Sequence, residues 1–139
     1  MTADEIAHRC AELMRADDQA STALGITFDD VGAGRAVLSM RVRSDMTNGH
    51  GSCHGGYIFT LADSAFAFAC NSYNQRCVAQ HCTITYLAPG RDGARLTATA
   101  REIQRIERNG IYDVSVTDYT GAVIAEFRGC SRTVAGSFF

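Results

Sequence analysis

There is no lysine in this chain of 139 residues; all 13 basic side chains are arginines. That absence removes the Schiff-base amine of pyridoxal and aldolase chemistry and the phosphate-gripping lysine of P-loop enzymes. Nor is there a surplus of positive charge, since 15 acidic residues leave a formal charge of -2. Such a balance does not hold a long polyanion on a broad surface, so nucleic acid is not an expected partner. No apolar run reaches the roughly 18 residues that span a bilayer, and no N-terminal stretch reads as a secretory signal. The expectation is a chain with no membrane partner, located in the cytoplasm. The six cysteines (Cys10, Cys53, Cys70, Cys77, Cys82 and Cys130) include no C-x-x-C pair, and several sit inside apolar runs. They read as free thiols rather than a disulfide framework or a zinc site.

What is present is enough apolar material, 46% of residues, for one core in a single domain covering residues 1–139. Thr2-Ala3-Asp4-Glu5 fits a capping box, and Ile6, Cys10, Leu13 and Met14 follow at helical spacing, which predicts a short N-terminal helix. From Gly25 the period becomes two, with Ala36, Leu38, Met40 and Val42 alternating with polar residues after Gly32-Ala33-Gly34, as in a hairpin. Tyr57 to Cys70 is apolar all round except for Thr60, Asp63 and Ser64, which predicts a long helix, about Gly55 to Asn71, buried on every side. Alternation then returns in four runs: Cys82/Ile84/Tyr86, Leu96/Ala98/Ala100, Tyr112/Val114/Val116 and Val123/Ala125/Phe127. Asn109-Gly110 and Thr120-Gly121 are the expected hairpin turns between the last three. An antiparallel sheet curled around one buried helix satisfies this order, an α+β class known as the hotdog fold; a cystatin-like or ferredoxin-like sandwich would give its helices a polar face.

The chemistry concentrates in residues 46–72. Gly49, Gly51, Gly55 and Gly56 precede the helix, where bare backbone approaches a ligand closely and the helix N-terminus offers N–H groups to an oxyanion. Gly55 is the expected oxyanion donor. Asp63 is a carboxylate among Phe59, Thr60, Phe66 and Ala67, costly unless it is used or paired, with Thr60 as the candidate partner. His50, Cys53 and His54 have the chemistry of metal ligands but no second cluster to complete a site. Cys53 and His54, as neighbours, are poorly placed to face each other as nucleophile and base, so His54 with Asn48 beside it reads as loop support. Arg91, Arg101, Arg105 and Arg108 are candidates for ligand phosphates or for a solvated face. Phe59 and Phe66, either side of Asp63 on the helix, suggest an apolar slot for an aryl ring, with Thr60, Ser64 or Asn71 able to meet ring hydroxyls.

At this point the chain resembles the PaaI-type branch of the hotdog acyl-CoA thioesterases. The resemblance rests on Asn48-Gly49-His50, on Ser52-Cys53-His54-Gly55-Gly56, on Phe59 to Ser72, on Cys82 to Gly90, and on the stretches beginning at Tyr112 and Phe127. It implies catalytic roles for Asp63, Gly55, His54 and Asn48, and a substrate site including Gly56, Phe59, Thr60, Pro89, Gly90, Arg91 and Arg128. It implies a coenzyme A thioester substrate with a phenylacetyl or hydroxyphenylacetyl group, no cofactor beyond the coenzyme A of the substrate, and no metal. It also implies a homodimer in which the carboxylate reaches across subunits, assembling to a homotetramer. A thioester has a good leaving group, so an oxyanion donor and a carboxylate acting as general base or nucleophile suffice for hydrolysis. Two other expectations stay open: a hotdog dehydratase or hydratase of acyl thioesters, and a non-catalytic acyl-CoA binding module.

Overall fold

A computed structural model describes residues 1–139. The capping box forms: the Glu5 N–H donates to the Thr2 hydroxyl and the Thr2 N–H to the Glu5 carboxylate, both at 3.1 Å, and helix α1 runs Ala3–Asp17. Asp18 then caps a second helix, α2 (Gln19–Ala23), by accepting the Ser21 N–H at 3.0 Å. Five residues are too few to show a period, so this helix left no mark on the hydrophobic pattern. β1 (Thr27–Gly32) and β2 (Arg35–Arg41) pair through a turn with Gly34 at φ +73°. Helix α3 follows at Gly55–Cys70, then β3 (Cys77–Tyr86), β4 (Arg95–Ile106), β5 (Asn109–Thr117) and β6 (Val123–Thr133).

The strands form one six-stranded antiparallel sheet in the order β1-β2-β4-β5-β6-β3. α3 packs on β2, β4 and β5, and the inward alternation of Ala36/Leu38/Met40, Leu96/Ala98/Ala100 and Tyr112/Val114/Val116 is buried beneath it. This is the hotdog architecture. No helix is long and apolar enough to cross a membrane.

Three expectations change. Asn109-Gly110 is not the turn: Ile106 pairs with Asn109 and Arg105 with Gly110, so Glu107-Arg108 makes the reversal, with Glu107 in the left-handed region at φ 55°. Gly110 is needed inside the strand instead, because the Ser131 hydroxyl lies 2.6 Å from where its Cβ would be. In β6 the inward set shifts: the register slips between Val116 and Thr117, which exposes Val123 and buries Ile124. And α3 is not buried on every side. Gly56, Phe59, Thr60, Asp63, Ser64 and Ala67 recur at helical spacing as a partly exposed stripe, while Ile58, Leu61, Ala62, Ala65, Phe66, Phe68 and Ala69 are buried. One curved sheet covers only the faces turned toward it.

Phe66 belongs to that covered side. Its ring lies 5.7 Å from Tyr112 and 5.8 Å from Phe127, and it presses on Gly129 of β6, where a Cβ would stand 2.7 Å from the ring. Gly129→Ala is therefore expected to destabilise the fold by about 1–3 kcal/mol through overpacking. Urea denaturation of Gly129→Ala, Phe66→Leu and the double variant checks this: the double variant should cost less than the two single changes together. Strict additivity would show that Phe66 and Gly129 are not in steric conflict.

Candidate active site

The segment before α3 is held from both sides. The Cys53 N–H donates to the Gly90 carbonyl and the His54 N–H to the Met46 carbonyl, each at 2.7 Å, and Ser52 bridges to Arg91. Between these anchors Asn48 closes the glycine-rich turn: its side-chain oxygen accepts the His50 N–H at 2.9 Å, and its own N–H donates to the Ser52 carbonyl at 2.8 Å. That leaves the Asn48 side-chain NH2 with no acceptor in the chain.

The first turn of α3 distributes its amides unequally. His54 is the N-cap, and its Nδ1 accepts the Gly56 N–H at 2.9 Å, which places the imidazole proton on Nε2. The Tyr57 and Ile58 N–H groups both donate to the His54 carbonyl, at 3.0 and 3.4 Å. Gly55 alone keeps an N–H with no acceptor in the chain, at the positive end of the helix. The Tyr86 hydroxyl donates to the Gly55 carbonyl at 2.8 Å, and its ring comes within 3.0 Å of where a Gly55 Cβ would be. Gly55, Asn48, Ile58, Tyr86, Leu87 and Pro89 line a groove of about 430 Å³. Tyr86 is the residue that sequence reasoning passed over. It was visible only as the last inward position of a strand.

Asp63 stands eight residues along the same helix and is partly buried. The partner considered for it is engaged elsewhere: the Thr60 hydroxyl donates to the Gly56 carbonyl at 2.9 Å, and the Ser64 hydroxyl to the Thr60 carbonyl at 2.7 Å. The carboxylate has no hydrogen-bond donor in the chain, and burial raises its pKa above the ordinary 3.8.

The other expected positions divide. Pro89 lines the groove, and Phe59 stands on the α3 stripe with its ring edge-on to Phe127 at 5.4 Å. Gly56 and Gly90 serve the backbone, the first as the capped amide and the second as the acceptor of Cys53. Arg91 is exposed beside the loop through its bridge to Ser52. Arg128 is not with them: it projects from the sheet face opposite α3, where its guanidinium forms two bonds to Asp113, at 2.6 and 2.9 Å. Strand alternation explains this, since Phe127 and Gly129 on either side point inward. Arg101 pairs with the same Asp113 at 3.9 Å, and Arg105 stacks on Tyr73. Phe66 lies in the core rather than beside a ligand, and both ends of the Asn71 amide are spent on Cys77, so neither builds the expected slot. Burial pushes the Cys53 thiol up to about 11, a poor nucleophile. No three His, Cys, Asp or Glu side chains cluster as a metal site.

A hotdog sheet whose central helix carries a free amide at its start and an unpaired carboxylate two turns on has the groups that thioester hydrolysis needs, and the sequence comparisons give the same class. Residues 50–125, which carry the loop end, α3 and the strands through the start of β6, match the thioesterase superfamily, and the chain belongs to that superfamily as a thioester hydrolase of the PaaI type. It is 43% identical over 127 residues to the acyl-coenzyme A thioesterase PaaI of Escherichia coli K12, covering 91% of each chain. The structure of the E. coli PaaI protein from the phenylacetic acid degradation operon superposes with a TM-score of 0.96 at 41% identity, covering 98% of this chain and 99% of that one. Human acyl-coenzyme A thioesterase 13 is 30% identical over 106 residues, 74% of this chain and 76% of its own.

The raised Asp63 pKa makes a stability prediction. The folded chain holds that proton to higher pH than the unfolded chain, so stability falls as pH rises from the unfolded value through the folded one. Asp63→Asn should therefore raise the unfolding midpoint at pH 7, and the gain should vanish below the ordinary carboxyl pKa of 3.8. An unchanged or lower midpoint at pH 7 would mean that the carboxylate is stabilised by a partner.

Proposed function

We propose that this chain hydrolyses acyl-CoA thioesters of arylacetic acids, phenylacetyl-CoA and its ring-hydroxylated forms, to the free acid and coenzyme A. The Gly55 N–H donates to the thioester carbonyl oxygen and holds the oxyanion as the carbonyl carbon becomes tetrahedral. Asp63 takes a proton from water as that water attacks; the C–S bond then breaks and the coenzyme A thiolate leaves. His54 sets the geometry by occupying the Gly56 amide, which leaves Gly55 as the donor, and Asn48 adds its side-chain NH2. The reaction calls for no metal and no redox cofactor.

The observation that carries this reading is the pair of unsatisfied groups on α3, the Gly55 N–H and the Asp63 carboxylate. They are separated by eight residues, about 12 Å of helix. In keeping with the PaaI-type resemblance, this reading takes Gly55 from one protomer and Asp63 from a second, in a homodimer; two dimers form a tetramer, using the sheet faces that carry Val37 and Ile111. The aryl preference rests on the apolar groove beside Gly55, lined by Ile58, Tyr86, Leu87 and Pro89, on Phe59, and on the operon of the E. coli relative. Arg91, exposed beside the loop, is our candidate for a coenzyme A phosphate, because Arg128 is committed to Asp113.

Asp63→Asn should keep the fold and assembly and lower kcat by roughly a thousandfold, about 4 kcal/mol of barrier. Thiol release from phenylacetyl-CoA should exceed that from acetyl-CoA by at least about a hundredfold in kcat/KM. Equal rates would overturn the aryl assignment, and no thiol release from any acyl-CoA would overturn the reaction. The shared site has its own test. Gly55→Pro removes the N–H at a position where proline suits a helix, with the half-exposed Tyr86 able to yield to the ring. Mixing it equally with Asp63→Asn and allowing subunits to exchange should restore about a quarter of wild-type activity, because half the dimers then carry one intact site. If each chain held its own complete site, the mixture would stay inactive. In a single turnover in ¹⁸O water, label on the product acid and not on the Asp63 peptide supports the general-base role; label on Asp63 would instead indicate direct attack through a mixed anhydride.

A further inference from the structure

At the far end of α3, 15 residues and about 22 Å of helix from Gly55, a second group of reactive side chains converges. Cys70 ends α3, Cys77 opens β3, and Asn71 ties the two together. The Asn71 side-chain oxygen accepts the Cys77 N–H at 2.8 Å, while its amide nitrogen donates to the Cys77 carbonyl at 3.3 Å and to the Cys70 sulfur at 3.6 Å. The two thiols line one small cavity, the Cys70 thiol donating to the Ala67 carbonyl at 3.5 Å and the Cys77 thiol to the Gln75 carbonyl at 3.6 Å. The Thr133 hydroxyl lies 3.5 Å from the Cys77 sulfur, and Arg105, stacked 3.6 Å over the Tyr73 ring, lines the same small cavity. Cys70 is buried, and the site opens to solvent through Cys77 alone. Cys77 is half-buried and borders a groove of about 520 Å³ between α1 and the C-terminal tail, beside Leu13, Met14, Val78 and Val134.

None of these groups takes part in the proposed hydrolysis, and their arrangement is that of an attacking and a resolving thiol. The neighbouring Cys70 thiol, then Thr133, with the Arg105 charge nearby, hold the Cys77 thiol down to about 6 against the opposing effect of burial. Proximity to Cys77, together with burial, pushes Cys70 up, so it keeps its proton until Cys77 has reacted. Burial raises Cys53 and Cys82 as well.

We propose that Cys70 and Cys77 are a hydroperoxide-oxidised dithiol site, in which Cys77 attacks the peroxide and Cys70 closes an intramolecular disulfide. In the first step the Cys77 sulfur forms an S–O bond as the peroxide O–O bond breaks. The sulfur gives up two electrons, and the leaving oxygen departs as water or an alcohol after taking a proton. In the second step the Cys70 sulfur attacks the Cys77 sulfenic acid, the S–O bond breaks, and water leaves with the Cys70 proton. The disulfide joins the end of the central helix to the start of the edge strand, and a dithiol reductant reverses it.

Peptide mapping of the intact protein after stoichiometric hydrogen peroxide at pH 6 tests the site. Trypsin cuts after Arg76, so a Cys70–Cys77 bond links peptide 44–76 to peptide 77–91, with the loss of two hydrogens. Those peptides also contain Cys53 and Cys82, so the link must persist in Cys53→Ser and Cys82→Ser and disappear in Cys70→Ser. In Cys70→Ser, Cys77 should instead be trapped by dimedone as a sulfenic acid. Weighing thiolate fraction against the lower nucleophilicity of a low-pKa thiolate, Cys77 should be consumed at least about tenfold faster than any other thiol at pH 6. A Cys77 that stays reduced, reacts no faster than the others, or links to Cys53 or Cys82 in place of Cys70 would overturn the proposal.

Discussion

Along an α-helix the backbone advances about 1.5 Å per residue, and every other feature of this site follows from where that puts Gly55 and Asp63. Both are on α3, both lack a partner in their own chain, and about 12 Å of helix separates them. Side chains on a helix lean toward its N-terminus, which brings the carboxylate closer by a few ångströms at most. On the proposed reading a protomer presents half of an acyl-transfer site at each of two places on one helix. The sheet holds that helix by its apolar faces and leaves the third face, with Asp63 on it, partly open.

The Gly55 amide is bare because its neighbours are occupied. A helix start has four N–H groups without intrahelical partners, and an oxyanion site formed there has to leave one of them unfilled. Here the other three are filled: the His54 N–H by the Met46 carbonyl, the Gly56 N–H by the His54 ring nitrogen and the Tyr57 N–H by the His54 carbonyl. The loop that places His54 is pinned by Met46 and Gly90, so the cap is held by the sheet-side framework as well as by the helix. Tyr86 adds a hydrogen bond to the Gly55 carbonyl from β3. Glycine at 55 lets that ring sit directly over the helix start; a side chain there would push it toward solvent.

Much of this was legible in the residues. The all-round apolarity of Tyr57 to Cys70 gave away the central helix, the period-two runs gave the strands, and a carboxylate at 63 stood out against its neighbours. What stayed hidden depended on contacts distant in sequence. Asn109-Gly110 has the composition of a turn, but Gly110 is in the strand to make room for Ser131, and only the register reveals that. Phe66 and Phe59 look equivalent around Asp63, yet Gly129 on β6 draws Phe66 into the core. Arg128 sits in a stretch that carries the family resemblance, but strand alternation turns it to the opposite face of the sheet. The apolar run of α3 concealed its open stripe because alanine, threonine, serine and glycine fit a covered surface as well as an exposed one.

That stripe and the β3 edge adjoin: the Asp63 charge bears on Cys82 of β3, and β3 is the last strand of the sheet on that side. Edge strands of proteins that remain alone are usually blunted by charged side chains, by proline or by a covering loop. β3 has none of these along Cys77–Tyr86, where Val78, Ala79, Gln80, His81, Thr83 and Thr85 stand exposed with no formal charge among them when the histidine is neutral. One irregularity interrupts it, between Ala79 and His81. An unguarded ladder beside a half-wet helix face that carries an unpaired carboxylate exposes three costs on one side of the molecule: open backbone donors and acceptors, apolar area and a desolvated charge. A second copy meeting the first across that side would relieve the first two, and its Gly55 would bring to Asp63 the thioester that gives the third a use.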